Sequence, residues 1–154
     1  MSAEKSAPTG GYQKPLPDMR PEGDHFWAGT KEHKLLLPTG PDGTPFWYPR
    51  ALSPGTLEPT QWTESKGEGV VYTYSTHFIG PSKAYKGDPP HIVALIDLDE
   101  GVRMMTNLVR DEEGFPSLDA DAVKIGMRVR VVFHDVTDEI TLPRSPYASA
   151  SSVF

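Results

Sequence analysis

The side chains that most often bind metals or carry out acid–base chemistry are scattered along this sequence. The five histidines show neither an H-x-H nor an H-E-x-x-H spacing, so each is expected at a strand end or on the surface rather than on a metal. The sequence contains no cysteine, which excludes disulfides, thiolate nucleophiles and cysteine-ligated zinc. We therefore expect neither a histidine-based metal site nor cysteine chemistry.

One acidic group has a spacing that needs a closer look. Asp97, Asp99 and Glu100 resemble the beginning of a calcium-binding loop. Leu108 stands at the twelfth position, where an EF-hand loop needs a carboxylate, so a hairpin turn is the better interpretation. The serines near the end of the sequence have no G-x-S-x-G context. With no nucleophile and base that converge, a free-standing enzyme has little support.

The residues between 67 and 109 predict the central part of the fold. Residues 67–76 are β-branched and aromatic with glycines at their start, which is typical of a bent strand. Two alternating stretches follow on either side of Gly101, which can adopt the positive φ of a tight hairpin. Three consecutive antiparallel strands are predicted. Their core-facing residues are Ile92, Ala94, Ile96, Leu98, Val102, Met104, Thr106 and Leu108.

Two more strands are predicted after an acidic connection that contains one helical turn near residues 119–123. The fourth strand begins near residue 125 and alternates, with three residues facing inward (Val129, Val131 and Phe133) and three facing outward (Arg128, Arg130 and His134). The fifth strand covers residues 139–143 and ends at an edge at Pro143. Five strands with this interruption follow the order of an OB-fold, a small partly open barrel, although an SH3-like barrel has the same count.

The residues before the barrel predict an arm, a helix and a hairpin. Asp24 is expected to cap a short helix over residues 25–33, whose two aromatic side chains must pack either on this protein's own sheet or on another subunit. Residues 34–37 and 46–50 are expected to pair as a hairpin around a Pro-Asp-Gly turn. The predicted units are a flexible arm over residues 1–23, the helix and hairpin over 24–62, the OB-fold over 63–143 and a flexible tail over 144–154.

Composition agrees with a small, turn-rich protein that is mainly β. The 154 residues include 16 prolines and 14 glycines, and only 37% are hydrophobic, so long helices are not expected. No apolar run approaches the ~20 residues of a membrane span, and the first residues lack the apolar centre of a signal peptide. A cytoplasmic location is therefore expected. The net charge of −6 disfavours general binding to polyanions.

Six sequence blocks, taken in their order, resemble the DUF35 family. The blocks are F-W at residues 26–27, Y-P-R at 48–50, G-E-G-V-V-Y-T-Y-S-T at 67–76, P-P-H-I-V-A-L-I-D-L-D-E-G-V-R-M-M-T-N-L-V at 89–109, I-G-M-R-V-R-V-V-F at 125–133 and D-E-I-T-L-P at 138–143. Trp62, between the second and third blocks, belongs to the same series. Their order is more specific than any single block, and the resemblance spans residues 24–143. It implies a rubredoxin-like zinc ribbon, an OB-fold and a link to acyl-CoA metabolism.

The resemblance also implies that the zinc site of the family is missing from this chain. The four ligand positions of the family's ribbon fall at Thr39, Asp42, Ser53 and Thr56. Neutral hydroxyls are poor zinc ligands, so a degenerate, metal-free ribbon is expected. Phe46, Trp47 and Tyr48 are expected to hold the hairpin instead, because an enclosed aromatic side chain buries roughly 150–250 Å². One zinc per chain in a metal analysis would contradict this hypothesis.

The resemblance implies an accessory role rather than catalysis. DUF35 proteins are typically encoded beside, and bound to, thiolase-like or related acyl-CoA enzymes, which include thiolases, acyltransferases and steroid side-chain aldolases or hydratases. This chain then looks like a non-catalytic subunit that stabilises such a partner and helps to enclose the coenzyme A thioester, which is a substrate of the complex and not a cofactor bound by this chain. The expected docking residues are Phe26, Trp27, Phe46, Trp47 and Tyr48.

The loop between the first two OB strands contains candidate contacts to coenzyme A or to the partner. Lys83 and Lys86 are the candidates for its phosphates, and Tyr85 between them for stacking on adenine or on the partner. An ordinary loop with solubilising lysines explains the same residues.

An independent single-stranded nucleic-acid binder is the alternative function. OB-folds of that class stack bases on strand aromatics beside a basic groove. The residues that would supply both are Tyr72, Tyr74, Phe78, Arg103, Arg128 and Arg130. The net negative charge and the acidic residues 111–113 argue against it. A salt titration separates the two functions, because nucleic-acid binding weakens steeply with salt.

Overall fold

The computed structural model describes residues 12–86, 90–110 and 120–146. Within those ranges one helix, α1 (Asp24–Lys31), precedes eight strands. The strands are β1 (Leu35–Thr39), β2 (Gln61–Ser65), β3 (Glu68–His77), β4 (His91–Leu98), β5 (Arg103–Val109), β6 (Arg128–Arg130), β7 (Val132–Asp135) and β8 (Thr141–Pro146). Short 3₁₀ turns lie at Pro21–Gly23, Lys83–Tyr85 and Ala120–Ala122. None of the helices in these ranges is long and apolar enough to cross a membrane.

The three central strands form as the alternation predicts. β3, β4 and β5 pair in antiparallel order, and every second residue of β4 is buried. Gly101 has a φ of +90° in the turn between β4 and β5, and its N–H donates to the carbonyl of Leu98 at 2.9 Å. The predicted core positions of β5 are buried except for Thr106, which is half-buried. The period of two therefore identified this meander correctly.

The main sheet confirms a mainly β, OB-type fold. Its strand order is β6-β3-β4-β5-β8-β7, and β5 and β8 run parallel while the other neighbours run antiparallel. The two end strands, β6 and β7, are consecutive pieces of chain on either side of Val131, so the sheet curls into a half-barrel. The predicted fourth strand is thus present in two pieces. The helical turn predicted before it is the 3₁₀ turn at Ala120–Ala122.

The strict alternation predicted for the fourth strand is wrong beyond Val129. Val129 is buried and Phe133 packs half-buried on the core, but Val132, on the other side of the chain, is buried as well. The reason is a change of partner, because β6 pairs with β3 whereas β7 pairs with β8. Val131 lies at the break and donates its N–H to the carbonyl of Gly67 at 2.7 Å.

The last strand extends beyond the predicted end at Pro143. β8 continues to Pro146 because Ser145 and Pro146 pair in parallel with Leu108 and Val109 of β5. The predicted tail therefore begins with residues that belong to this strand. Residues 147–154 and residues 1–11 lie outside the described part of the chain, as does the acidic loop at 111–113.

The predicted cap of the helix is wrong. The 3₁₀ turn at Pro21–Gly23 runs directly into α1, so Asp24 already has a helical backbone with φ −57° and ψ −42°. Gly23 is the N-cap residue and no side chain caps the helix. The helix buries one face, and Phe26 is its largest buried side chain.

The hairpin predicted for residues 34–50 is only partly formed. Residues 46–50 are not a strand, and β1 pairs instead with β2. The return chain is held at one bridge, between Thr39 and Pro45, and by the Phe46 N–H, which donates to the Pro38 carbonyl at 2.9 Å. Proline lacks an N–H, and Pro45 and Pro49 interrupt this segment, so it cannot continue a ladder.

The helix, β1 and the barrel share one hydrophobic core. Leu37 of β1 is fully buried and belongs to the same cluster as Phe26 of α1 and the central strand residues Val71 and Ile96. Burial of apolar surface is the main stabilising term in folding. The N-terminal unit is therefore held against the barrel by shared packing.

A polar contact also joins the end of the helix to the far edge of the sheet. His33 follows α1 with a φ of +57°, and its ring stacks on Phe133 at a centroid distance of 5.4 Å. Its Nε2 lies 3.3 Å from Oδ1 of Asp135, which also accepts from the hydroxyl of Thr141. The Thr141 hydrogen bond, and then His33, lower the pKa of Asp135 below its ordinary value.

The lowered pKa of Asp135 predicts a pH-dependent stability. A carboxyl with a lower pKa in the folded state binds fewer protons there than in the unfolded state, so its contribution is present above the unfolded pKa of about 3.9 and is lost as the pH falls through the folded value. Asp135→Asn is expected to lower the free energy of unfolding at pH 7 by more than at pH 2.5. Urea denaturation at both pH values measures the difference.

The matched pair Thr141→Ser and Thr141→Val separates the hydrogen bond from packing. Serine keeps the hydroxyl donor to Asp135 and should retain most of the pH dependence, whereas valine should reduce it. A loss in Asp135→Asn that is the same at both pH values would contradict the assigned role of this carboxylate.

Candidate functional site

A cavity of about 490 Å³ opens between α1, residues 47–49, β5 and β8. Residues 47–49 follow the first ribbon turn, which the Gly43 N–H closes by donating to the Gly40 carbonyl. We call it the aromatic groove. Its apolar lining consists of Phe26, Trp27, Trp47, Tyr48, Met104, Met105 and Leu142. Charged residues form its rim, namely Asp18, Arg20, Glu22 and Arg144. This volume is within the range of about 300–1,000 Å³ that is typical of sites for sizeable ligands.

The aromatic rings of the groove pack on one another in a chain. The ring of Phe26 meets Trp27 edge-on at a centroid distance of 5.1 Å and Trp47 at 5.3 Å. Tyr48 continues the chain at 5.3 Å from Trp47. Such edge contacts are favourable beyond the area that they bury. The rings therefore form one supported wall, anchored by the buried Phe26.

Two side chains of the groove expose apolar surface, and one buried N–H lacks a hydrogen-bond acceptor in the described part of the chain. Tyr48 and Met105 are exposed by 57% and 56% although both are large and apolar. The indole N–H of Trp47 is buried and has no acceptor among the described residues. A buried donor without a partner costs about 1–3 kcal/mol. The groove thus offers apolar surface to a partner, whereas the Trp47 N–H lies buried within the chain.

The structure brings four of the five predicted docking residues together. Phe26, Trp27, Trp47 and Tyr48 all line the groove, whereas Phe46 does not. Met105 was not predicted, although the alternation of β5 could have identified it as a large apolar residue on the outward face. Trp47 packs on Phe26, but Tyr48 is exposed rather than enclosed, so the hypothesis that these aromatic residues hold the ribbon stays a prediction.

The four former ligand positions lie in two turns that face each other. Thr39 and Ser53 are buried, and Asp42 and Thr56 are exposed. A Cβ added to Gly40 would lie 3.0 Å from the Ser53 hydroxyl oxygen, so the turns are close. The Thr44 N–H and hydroxyl donate to Asp42 and lower the pKa of its carboxyl.

The donor set at these positions does not suit zinc. It consists of three hydroxyls and one carboxylate, and the carboxylate is already bonded to Thr44. Across the described residues, no group of three or more histidine, cysteine, aspartate or glutamate side chains is placed to hold a metal ion. The two ribbon turns are instead closed by backbone hydrogen bonds, such as that from the Ser53 N–H to the Glu58 carbonyl at 2.7 Å.

The loop with the coenzyme A candidates lies beside the groove. Tyr85 is half-buried, stacks on His91 at 5.9 Å and has the Lys14 ammonium 5.1 Å from its ring centroid. Lys83 and Lys86 are exposed. The structure therefore separates the three: Tyr85 packs inward and the two lysines point to solvent.

In the part of the chain that the structure describes, carboxylates lie against two arginines of the alternative nucleic-acid surface. Arg103 stacks on Tyr72 at 3.3 Å and makes two hydrogen bonds to Asp97, at 2.6 and 3.0 Å. Arg128 binds Asp99 through both terminal nitrogens, at 2.7 and 2.8 Å. These pairs lower the pKa of both carboxyls. Two of the three predicted arginines are thus paired with local carboxylates, and Tyr74 packs partly buried on the core.

Comparison with known protein sequences identifies relatives over most of the chain. The family described as the C-terminal OB-fold domain of ChsH2 matches residues 62–134. A DUF35 domain-containing scaffold protein of Methanocaldococcus jannaschii is 31% identical over 117 residues, which cover 73% of this chain and 77% of that protein. The alpha subunit of a 3-oxo-4,17-pregnadiene-20-carboxyl-CoA hydratase from Mycobacterium tuberculosis is 32% identical over 114 residues, which cover 73% of this chain. The chain spans only 34% of that subunit.

A solved structure agrees with the sequence relatives. A chain of the Ltp2-ChsH2(DUF35) aldolase superposes with a TM-score of 0.72 at 26% sequence identity. The match covers 87% of this chain and 100% of that chain. The likeness therefore includes the helix and ribbon as well as the barrel.

Proposed function

Because the chain belongs to the DUF35 family, with 31% identity to a scaffold protein of that family, we propose that it is a non-catalytic accessory subunit of an acyl-CoA enzyme complex. Two relatives support this proposal by name: one is a subunit of an acyl-CoA hydratase and the other a chain of an aldolase that pairs ChsH2(DUF35) with Ltp2.

The aromatic groove is the observation that carries the proposal. Tyr48 and Met105 expose apolar surface that a docked protein would remove from water, at roughly 25 cal/mol per Å². Aromatic residues in partly desolvated pockets are the usual energetic centres of protein interfaces. The buried ring of Phe26 and the half-buried ring of Trp47 support this exposed surface from below. The groove therefore suits a partner segment that presents an apolar side chain.

The finer part of the proposal concerns the partner and the substrate. We infer that the partner is a thiolase-like catalytic subunit and that this chain helps to enclose its coenzyme A thioester. Support comes from the position of the Lys83–Tyr85 turn, since Tyr85 contacts His91 at the edge of the barrel next to the groove. The exposed Lys83 and Lys86 would meet coenzyme A phosphates that project from the partner.

Docking through the groove predicts a specific loss of binding. The chain and the product of the neighbouring reading frame are produced and purified, and their affinity is measured by calorimetry. Tyr48→Ala combined with Met105→Ala is expected to weaken binding at least about tenfold, because central aromatic truncations commonly cost 2 kcal/mol or more. Both side chains are more than half exposed, so the variant should fold normally.

Phe78→Ala is the matched control, because Phe78 is 76% exposed and lies outside the groove. It should leave the affinity within about twofold. Undiminished binding by the groove variant, or a loss confined to Phe78→Ala, would show that another surface docks the partner. Turnover of an acyl-CoA by this chain alone would overturn the accessory role itself.

A further inference from the structure

A second, smaller cavity of about 220 Å³ lies next to the aromatic groove. We call it the arm pocket, because residues before the helix form one of its walls. Its lining consists of Tyr12, Lys14, Tyr85, His91, Asn107, Leu142 and Arg144. Asn107, Leu142 and Arg144 also line the aromatic groove, so the two cavities share a wall.

The charged side chains that line the arm pocket are all basic. Lys14 and Arg144 carry positive charge, and the side-chain amide of Asn107 adds hydrogen-bond donors. No carboxylate belongs to this lining within the described residues. That composition is unexpected in a chain with 21 acidic residues against 15 lysines and arginines. Positive groups gathered in a concave site raise the local concentration of anions.

The pocket's side chains hold one another in place. The Tyr85 ring lies between the Lys14 ammonium, 5.1 Å from its centroid, and the His91 ring at 5.9 Å. His91 also stacks on His77, its cross-strand neighbour, at 5.1 Å. Burial raises the pKa of the Tyr12 phenol, which also hydrogen-bonds to Arg144. A phenol keeps its proton at neutral pH, so the Tyr12 hydroxyl can donate to an anion.

The volume of the arm pocket limits the size of the ligand that it can hold. Sites for drug-sized molecules occupy about 300–1,000 Å³, so a cavity of 220 Å³ suits a small ion or one end of a larger molecule. An arginine fork, an ammonium and hydroxyl donors around one space match the several acceptor oxygens of a phosphate group better than a single apolar group.

We propose that the arm pocket binds a phosphate group, either as free phosphate or as the phosphate end of a larger molecule. Arg144 and Lys14 supply the charge, and Asn107 and the Tyr12 hydroxyl supply further donors. The N-terminal arm thereby becomes part of a binding site. This site is a property of the chain alone and does not depend on the docking of a catalytic subunit.

Inorganic phosphate is the first probe. The full chain is titrated at constant ionic strength, with sodium chloride as the balancing salt, while NMR follows the ring signals of Tyr85 and His91. Saturable shifts are expected with phosphate. Arg144→Gln should weaken the affinity about tenfold or more, because it removes a charged hydrogen-bonding fork. Lys14→Gln should weaken it severalfold, and it tests the site without altering any strand.

Lys124→Gln is the control with the same change of charge, at an exposed residue outside the lining, and its affinity should stay within about twofold. Adenosine 3′,5′-bisphosphate then tests whether the natural ligand is free phosphate or the phosphate end of a larger molecule. Tighter binding that displaces inorganic phosphate identifies the end of a larger molecule, and saturation by phosphate alone identifies the free ion. Equal shifts with chloride, or unchanged affinity in both the Arg144→Gln and Lys14→Gln variants, would overturn the proposal and leave partner docking unaffected.

Discussion

Leu37→Ala is expected to lower the free energy of unfolding by about 2–5 kcal/mol, the usual cost of emptying a fully buried leucine site. Leu37 has no exposed surface, and it packs in one cluster with the helix residue Phe26 and the barrel residues Val71 and Ile96. Because the cluster is continuous, the loss should affect helix, ribbon and barrel together. Urea denaturation followed by tryptophan fluorescence and by circular dichroism measures it, and both signals should change in a single transition.

Leu52→Ala removes the same atoms at a ribbon position that is 47% exposed. It should change the free energy of unfolding by no more than about 0.5 kcal/mol, as is usual for surface substitutions. Two separate transitions in the Leu37→Ala variant, with the far-ultraviolet signal of the sheet unchanged in midpoint, would mean that the ribbon and the barrel unfold independently.

Gly69→Ala is expected to destabilise the protein by about 3 kcal/mol, at the upper end of the range for overpacking. β3 and β4 approach so closely at this point that a Cβ on Gly69 would lie 2.4 Å from the Asp97 carbonyl oxygen and 2.9 Å from Cγ2 of Ile96. The first atom belongs to the backbone of a central strand, so it cannot move without disturbing the pairing with β5. The measurement is the midpoint of urea denaturation relative to the unchanged chain.

Gly43→Ala provides the contrast. Gly43 has a φ of +79° in the first ribbon turn, and nothing lies within 4 Å of its added Cβ. Only the left-handed backbone is then unfavourable, at about 1 kcal/mol. If Gly69→Ala is no more destabilising than Gly43→Ala, the close approach of β3 and β4 yields easily and is not a fixed feature of the barrel.

The sequence predicted the meander of β3, β4 and β5 well because those strands pair with their neighbours along the chain. One face of each is buried, so the period of two is visible in the residues themselves. The fourth strand was predicted less well, since the break at Val131 arises when the chain changes partner from β3 to β8. No local pattern reports such a change. The predicted pairing of residues 34–37 with residues 46–50 was wrong for a similar reason. β1 pairs instead with β2, a strand without proline that can donate from every N–H.

The candidate site was predicted by residue type but not by position. Aromatic residues near the helix and ribbon indicated a packing surface, and the structure gathers Phe26, Trp27, Trp47 and Tyr48 at one groove. Its other side comes from β5 and β8, which are distant in sequence and adjacent only through their parallel pairing. The arm residues Tyr12 and Lys14 lie in a stretch without periodicity, so nothing in the sequence placed them against Tyr85.

The wall shared by the aromatic groove and the arm pocket has a thermodynamic consequence. Asn107, Leu142 and Arg144 face both cavities, so a molecule that reorients them on one side changes the free energy of occupancy on the other. Thermodynamic linkage requires that each ligand change the binding free energy of the other by the same amount. If phosphate tightens the association with a catalytic subunit by some factor, then that subunit must tighten the retention of phosphate by the same factor. This chain would then couple the occupancy of one cavity to the occupancy of the other.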